Sequence, residues 1–164
     1  MNRFIKILIS LIVIFCNISC DQITKEKVRS EIVANETIQV VNNNFILTKV
    51  ENTGAALGLG QSLNPELKMV LLQILPLIVL FMMFVYIIKE KEISKLSLIA
   101  FSFIIGGGIG NIYDRILYNS VTDFMYIDFG FIHTGIFNMA DVSVMLGTGL
   151  LILSFIKRKE VSLS

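Results

Sequence analysis

The sequence is poor in the residues that build most metal and redox sites. Its 164 residues include one histidine, His133, and two cysteines. Because zinc sites usually take several His and Cys ligands, a site of that kind is hard to assemble from this chain. Cys16 and Cys20 both lie in the first apolar run, where we expect them to be buried and inert, and no disulfide framework is present.

Charged residues are scarce as well. They make up 16% of the chain, against 54% hydrophobic residues, and the net charge is +1. An average soluble domain carries about a quarter charged residues, so an ordinary cytosolic globule is excluded. The small net charge offers no electrostatic case for binding nucleic acid.

Long apolar runs are abundant, and they indicate a membrane protein. A spanning helix needs about 20 mostly apolar residues, and we predict four spans in a single integral membrane domain over residues 1–164. Basic residues near both termini and in the 89–95 loop fall on one side of this arrangement. By the positive-inside rule both termini are predicted to be cytoplasmic. The predicted spans cover about residues 4–20, 69–88, 96–113 and 137–156.

The connection between the first two spans is too long to be a bare turn. Residues 37–41 and 45–50 are rich in β-branched and aromatic side chains, and three asparagines separate them. This pattern predicts a small antiparallel sheet on the outer surface, within about residues 35–60. The predicted fold class is therefore membrane α-helical, with four transmembrane helices and a small extracytoplasmic β-sheet between helices 1 and 2.

Polar residues gather at the predicted outer end of the spans. Ionisable groups at membrane depth are costly unless they are paired or functional. Asn111 and Arg115 share a helix face, as do Asn138 and Asp141. The clustering is the strongest functional signal that the residues alone provide. The members are Asp21, Asn111, Asp114, Arg115, Asp123, Asp128, Asn138 and Asp141.

Two of these carboxylates suit acid–base chemistry. Asp141 falls in the first turn of the fourth helix, where the helix dipole favours the ionised form. Asp123 lies in a partly apolar loop, where burial and a nearby carboxylate would suppress its ionisation. Two carboxylates brought close share one proton, so that one acts as base while the other acts as acid on a carbonyl.

Structural interpretations compete at several positions. Asp114 and Arg115 could form an ion pair at a helix end, and Asp128 is expected to be a solvated loop acid. His133 is expected to be an interfacial residue. The glycine run 106–110 favours close helix packing over phosphate binding, because no Lys-Ser/Thr follows it.

Two other classes of protein compete for the whole chain. Residues 17–25 (NISCDQITK) suggest a lipid-modified cysteine and hence a secreted lipoprotein, but three further long apolar runs follow. A small proton-coupled transporter would also carry intramembrane carboxylates. It would place them nearer mid-span and show internal symmetry between halves, and the sequence has neither.

Five motifs in order give the chain a resemblance to the lipoprotein signal peptidase (signal peptidase II) family, aspartic peptidases of bacterial inner membranes. The second motif usually continues with Phe, whereas here Leu57 and Gly58 follow. The motifs are DQITK at 21–25, NTGAA at 52–56, GGGIGNIYDR at 106–115, VTDF at 121–124 and FNMAD at 137–141.

The resemblance implies a catalytic dyad of Asp123 and Asp141. The substrate would be a diacylglyceryl-modified prolipoprotein, cut immediately before its lipidated cysteine, with membrane lipid as the other partner. No metal and no organic cofactor are expected, and we expect a multi-pass monomer of the bacterial inner membrane with its active site near the extracytoplasmic face. Arg115 would balance charge through Asp114 or hold a substrate backbone or lipid group. Supporting or substrate-contacting roles are expected for Asp21, Asn52, Gly54, Asn111, Asp114, Arg115 and Asn138.

Overall fold

Four long apolar helices form the body of the protein. The computed structural model describes residues 2–34, 36–42 and 44–163. The helices are α1 (Arg3–Glu31), α2 (Pro65–Lys89), α3 (Lys95–Tyr118) and α4 (Met139–Leu163). All four are long and apolar enough to cross a membrane, which confirms the predicted fold class.

The first helix extends well beyond its predicted end near Cys20. It continues to Glu31, so Asp21 lies inside the helix and not at its end. The extension keeps a helical burial pattern, because Asp21, Lys25 and Val28 are all buried on one face. Hydropathy alone misses this part, since polar residues form much of the buried face.

The two cysteines lie on the outer face of α1. Cys16 and Cys20 are exposed, so the expectation that they are buried is wrong. The opposite face of the helix, which includes Ile14, packs into the bundle core. In a membrane these thiols would therefore face the surroundings of the bundle.

Helix α2 contains one wider turn. Residues Val70–Ile74 adopt a π-helical conformation, and Pro76 follows within the next regular segment, Leu75–Lys89. Such turns relieve the backbone near a proline that cannot donate a hydrogen bond. The helix therefore crosses as one span from Pro65 to Lys89.

The helices pack around small residues and a narrow aliphatic core. Residues including Leu80, Ile87, Leu98 and Ile105 form that core. The glycine run in α3 allows close approach, since a β-carbon at Gly110 would lie 2.6 Å from Oδ2 of Asp21. The interpretation of this run as a helix-packing surface agrees with the contacts.

A three-stranded antiparallel sheet sits beyond the helices. Strands β1 (Thr37–Val41) and β2 (Phe45–Asn52) form the predicted hairpin, although Asn43 of its turn lies outside the described residues. Strand β3 (Val121–Ile127) pairs with β2 and completes the order β1-β2-β3. The prediction that Asp123 lies in a loop is wrong, because it is part of β3, opposite Val50.

The sheet is anchored to the extension of α1. Val28 and Ile32 pack with Phe124 of β3 in a second buried cluster. This contact sets the position of β3 relative to the helices. It thereby also sets the position of Asp123, which directly precedes Phe124 in the strand.

Candidate active site

The N-terminus of α4 is capped by side chains from two parts of the chain, residues 138–141 and α1. The side-chain oxygen of Asn138 accepts a hydrogen bond from the Asp141 backbone N–H (3.0 Å), and Oδ2 of Asp141 accepts one from the Asn138 N–H (3.1 Å). This reciprocal arrangement is a capping box. Oδ1 of Asp21 accepts a hydrogen bond from the Ala140 N–H (2.9 Å). The N–H groups that a helix start leaves unpaired are thus met by two carboxylates and an amide.

Asn138 also links the two predicted catalytic aspartates. Its side-chain N–H₂ donates to Oδ1 of Asp123 (2.6 Å), while its backbone holds Asp141. Asn138 is fully buried, with 0% of its surface exposed. One residue therefore ties the strand-borne carboxylate to the helix-borne one.

Each carboxylate has a second amide donor of its own. Asn52, at the end of β2, donates from its side chain to Oδ2 of Asp123 (3.0 Å). Asn111 of α3 donates to Oδ1 of Asp141 (2.9 Å). Both aspartates thus accept hydrogen bonds at both oxygens. The donors are Asn52 at the end of β2, Asn111 of α3 and Asn138 at the start of α4.

The environment of Asp123 favours its protonated form. Burial is the main cause and raises the pKa of Asp123 from 3.8 to about 6. The charge of Asp141 acts in the same direction, whereas the hydrogen bonds from Asn52 and Asn138 oppose the rise. A carboxyl group with such a pKa holds or gives up a proton near neutral pH.

Behind the aspartates lies a buried group of charged side chains, which we call the charge cluster: Asp21, Lys25, Arg29 and Asp114. Nζ of Lys25 lies 2.8 Å from Oδ2 of Asp21 and 3.1 Å from Oδ2 of Asp114. Nη2 of Arg29 lies 2.9 Å from Oδ2 of Asp114. Lys25, Asp21 and Asp114 have no exposed side-chain surface, so the pairing is what makes their burial tolerable.

The cluster reaches the aspartates through Asn111. Nζ of Lys25 donates to the side-chain oxygen of Asn111 (2.9 Å), and so does the side chain of Asn138 (3.1 Å). With its oxygen held by two donors, the amide of Asn111 must present its N–H₂ to Asp141. Lys25 therefore orients the donor that fixes Asp141.

Asp114 does not form an ion pair with its neighbour Arg115, so the predicted pair at the helix end is wrong. Adjacent residues on a helix point in different directions, and Asp114 turns inward to Lys25 and Arg29. Arg115 instead donates to the backbone oxygens of Gly54 (2.8 Å) and Asn111 (3.3 Å). It thus connects α3 to the segment that follows β2.

That segment, residues 53–64, lies over the site. It starts at a tight turn in which the side-chain oxygen of Asn52 accepts from the Gly54 N–H (2.9 Å). A β-carbon at Gly54 would lie 2.6 Å from the Leu59 backbone oxygen, so only glycine fits. Leu57 has φ 56° and is 83% exposed, with its side chain over Gly135. Most of this segment is held by its own turns and not by the bundle.

Between the segment and the helices lies a cavity of about 780 Å³. Asp123, Asp141, Asn111 and Arg115 all line it. The rest of the wall is largely apolar and includes Leu57, Leu72, Pro76, Phe137, Val142 and Met145. The two carboxylates thus open onto a space that suits an apolar ligand with a few polar groups.

Asp128 and His133, for which the sequence favours structural interpretations, lie outside this cavity. Asp128 accepts a hydrogen bond from the Gly130 N–H (2.7 Å) in the turn after β3. His133 is exposed, with its ring 6.0 Å from that of Tyr126. Neither lines the cavity, in agreement with the structural interpretations of both.

The sequence did not predict three residues that contact the site: Lys25, Arg29 and Gln22. Gln22 donates to Oδ2 of Asp21 and to Oδ1 of Asp114. A signal was present, because Asp21, Lys25 and Arg29 recur every four residues and so share a helix face. A prediction that continued α1 to Arg29 would have placed these charged side chains on one helix face. It would then have indicated that other helices supply their ionic partners.

Comparison with known proteins identifies the family of this chain. Residues 12–157 match the family described as signal peptidase (SPase) II. The chain belongs to the signal peptidase II family. It is therefore an aspartic peptidase, which decides against the transporter and the secreted-lipoprotein alternatives.

Relatives of this family extend over most of the chain. It is 37% identical over 139 residues to a lipoprotein signal peptidase of Clostridium novyi (strain NT), covering 84% of this chain and 90% of the relative. It is 38% identical over 149 residues to one of Treponema pallidum (strain Nichols), covering 87% and 80%. A solved structure described as a bacterial membrane enzyme, determined by the in meso method, matches with a TM-score of 0.81 and 28% identity. The match covers 92% of this chain and 88% of that one.

Proposed function

We propose that this enzyme removes the signal peptide from diacylglyceryl-modified prolipoproteins, cleaving immediately before the lipidated cysteine, with Asp123 and Asp141 as the catalytic dyad. The observation that carries the proposal is the placement of these two carboxylates. They come from β3 and α4, are bridged by Asn138, and line one apolar cavity. The relatives named above are lipoprotein signal peptidases, which supports the substrate class.

The chemistry proposed for the dyad is direct attack by water. The water oxygen bonds to the scissile carbonyl carbon while Asp141 accepts a proton from the water. At the same time, protonated Asp123 donates its proton to the carbonyl oxygen. When the tetrahedral intermediate collapses, the C–N bond breaks, the leaving nitrogen takes the proton from Asp141, and Asp123 recovers its own. The raised pKa of Asp123 supports its role as the acid, although the two titrations belong to the pair.

The supporting residues are proposed to hold this geometry. Asn52, Asn111 and Asn138 donate to the carboxylates. Arg115, bonded to the Gly54 backbone oxygen, is proposed to present its remaining donors to a substrate carbonyl or to the ester oxygens of the lipid. Its Nε is buried and has no hydrogen-bond partner among the described residues.

The membrane arrangement is proposed from charge. Arg3, Lys6 and Lys89 lie at the end of the bundle away from the dyad, and so do Lys157 and Arg158. The positive-inside rule places that end in the cytoplasm and the active site near the outer face of the inner membrane. Every residue of the proposed site comes from one chain, so a monomer suffices.

The test is cleavage of a purified lipidated prolipoprotein by wild type, Asp123→Asn and Asp141→Asn. Both variants should lose at least a thousandfold in kcat, since each removes one half of the acid–base pair. Asp128→Asn is the control, because Asp128 lies outside the cavity, and it should retain wild-type activity. Retained cleavage by either folded dyad variant would refute the assignment.

A further inference from the structure

A second cavity lies at the end of the bundle opposite the dyad. Its volume is about 420 Å³, and it is lined by Arg3, Lys6, Ile88, Lys89 and Lys91. The start of α1 and the end of α2 form its walls, together with the loop that follows α2. A bound water has a share of only about 30 Å³, so the space is large enough for a polar headgroup.

The positive charges around this cavity form no ion pair within the described part of the chain. Among the described residues, none of Arg3, Lys6, Lys89 and Lys91 forms an ion pair with a carboxylate, whereas the charge cluster near the dyad is fully paired. The nearest acidic side chain in sequence, Glu90, accepts a hydrogen bond from a backbone N–H of the loop. Four cations thus line one space, and none of them forms an ion pair among the described residues.

Lys6 is the most buried of these four cations. Its side chain is only 3% exposed, and its ammonium group donates to the backbone oxygen of Glu90 (2.5 Å). A neutral carbonyl satisfies a hydrogen bond but does not neutralise the charge, and a buried unpaired charge is costly. An anion in the cavity would remove that cost.

The surroundings of the cavity point to a lipid as the source of the anion. The cavity lies where two spanning helices end, at the depth of lipid headgroups. Phe4 of α1 is 70% exposed and Leu8 is 46% exposed, which provides an apolar surface leading away from the basic residues. Basic pockets between helix ends on the cytoplasmic side are suited to anionic headgroups.

We propose that this cavity binds the headgroup of an anionic phospholipid, with its phosphate among Arg3, Lys6, Lys89 and Lys91 and its acyl chains along α1. This site is independent of the dyad and of the proposed substrate. A lipid bound there would link the start of α1 to the end of α2 at the end of the bundle opposite the dyad. The charge cluster links α1 to α3 at the end near the dyad.

The chain offers a matched control for general attraction between basic residues and an anionic membrane. Lys157 and Arg158 are exposed at the same end of the bundle and do not line the cavity. Lys89 and Lys91 are also exposed, and they do line it. Two double variants, Lys89→Gln/Lys91→Gln and Lys157→Gln/Arg158→Gln, each remove two charges from this end.

The experiment is a titration of the purified full-length protein in detergent with dioleoylphosphatidylglycerol, followed by native mass spectrometry and by the melting temperature. Wild type should bind phosphatidylglycerol and melt at a higher temperature in its presence, while phosphatidylcholine and inorganic phosphate should have little effect. The cavity double variant should bind phosphatidylglycerol at least tenfold more weakly, and the control double variant within twofold of wild type. Without lipid both should melt like wild type, because all four residues are exposed.

Three outcomes would overturn the proposal. Equal losses in the two double variants would show general surface attraction. Equal binding of phosphatidylglycerol and phosphatidylcholine would show that charge plays no part. Stabilisation by inorganic phosphate alone to the same extent would show a site for a soluble anion and not for a lipid.

Discussion

The two sides of the active site are built in opposite ways. On the bundle side, the charge cluster and Asn111 are buried or half-buried and are paired through side chains of three helices. On the other side, residues 53–64 are largely exposed and hold together by short local turns. The proposed dyad is therefore held in position from the bundle side, and the opposite side is left free to admit the proposed lipidated substrate.

The largest expected effect comes from breaking the bundle side. Lys25→Met leaves Asp21 and Asp114 buried with fewer partners and removes a donor to Asn111. Removing one partner of a buried ion pair costs about 3–5 kcal/mol, and kcat should fall with it because Asp141 loses an oriented donor. Thermal unfolding in detergent and the cleavage rate measure both effects.

Lys27→Met is the matched control for that change. Lys27 is exposed on the same helix, two residues further on, and its loss should change the free energy of unfolding by less than about 0.5 kcal/mol. If Lys25→Met proved as mild as Lys27→Met, the charge cluster would not be what positions the dyad.

An intermediate effect is expected at the boundary between the two sides, where Asp123 lies. Its pKa in the folded protein is raised from 3.8 to about 6, so the folded state binds this proton more tightly than the unfolded state. The resulting stabilisation is complete below pH 4 and is lost as the pH rises to about 6, which amounts to about 3 kcal/mol.

Asp123→Asn lacks this titration, so the comparison of wild type with the variant isolates it. The melting temperature of wild type should fall relative to that of the variant between pH 4 and pH 6, and the difference should then stay constant. Asp128→Asn should follow wild type throughout. A difference that does not change with pH would mean that burial does not raise the pKa of Asp123.

The smallest effect on stability is expected on the open side. Leu57→Ala removes an exposed side chain, so the free energy of unfolding should change by less than about 0.5 kcal/mol. Because Leu57 lines the cavity, KM should nevertheless rise by about three- to tenfold, as expected from losing part of the burial of one Leu side chain.

Leu59→Ala is the matched control for Leu57→Ala. Leu59 is 70% exposed in the same segment and does not line the cavity, so its KM should stay at the wild-type value. Equal KM values for the two variants would remove Leu57 from the substrate path.

The four spans could be predicted from sequence because a run of about 20 apolar residues spans a bilayer whatever it packs against. The end of α1 could not be found in this way. Its last turns bury Asp21 and Lys25, which hydropathy counts as polar, and only their partner on α3 explains the burial. The four-residue spacing was visible, but the partner was not.

The third strand shows a similar limit. Residues 121–127 carry the same β-branched and aromatic side chains as the predicted hairpin, but β3 pairs with β2 from far along the chain. No turn signal links two strands so distant in sequence. The two candidate aspartates could be predicted from the sequence motifs. The orientation of the amide donors Asn52, Asn111 and Asn138 could not, and neither could the inward direction of the Asp114 side chain, because both depend on packing.

The ion pairs of α1 have a consequence for how the protein is made. Asp21, Lys25 and Arg29 together carry a net positive charge, and Asp114, which balances it, follows some 90 residues later in the chain. At a synthesis rate of about 5–20 residues per second, that acid leaves the ribosome roughly 5–20 s after Lys25. Until then the outer half of α1 has to remain in contact with water or headgroups, so the charge cluster is completed only when the third helix enters the membrane.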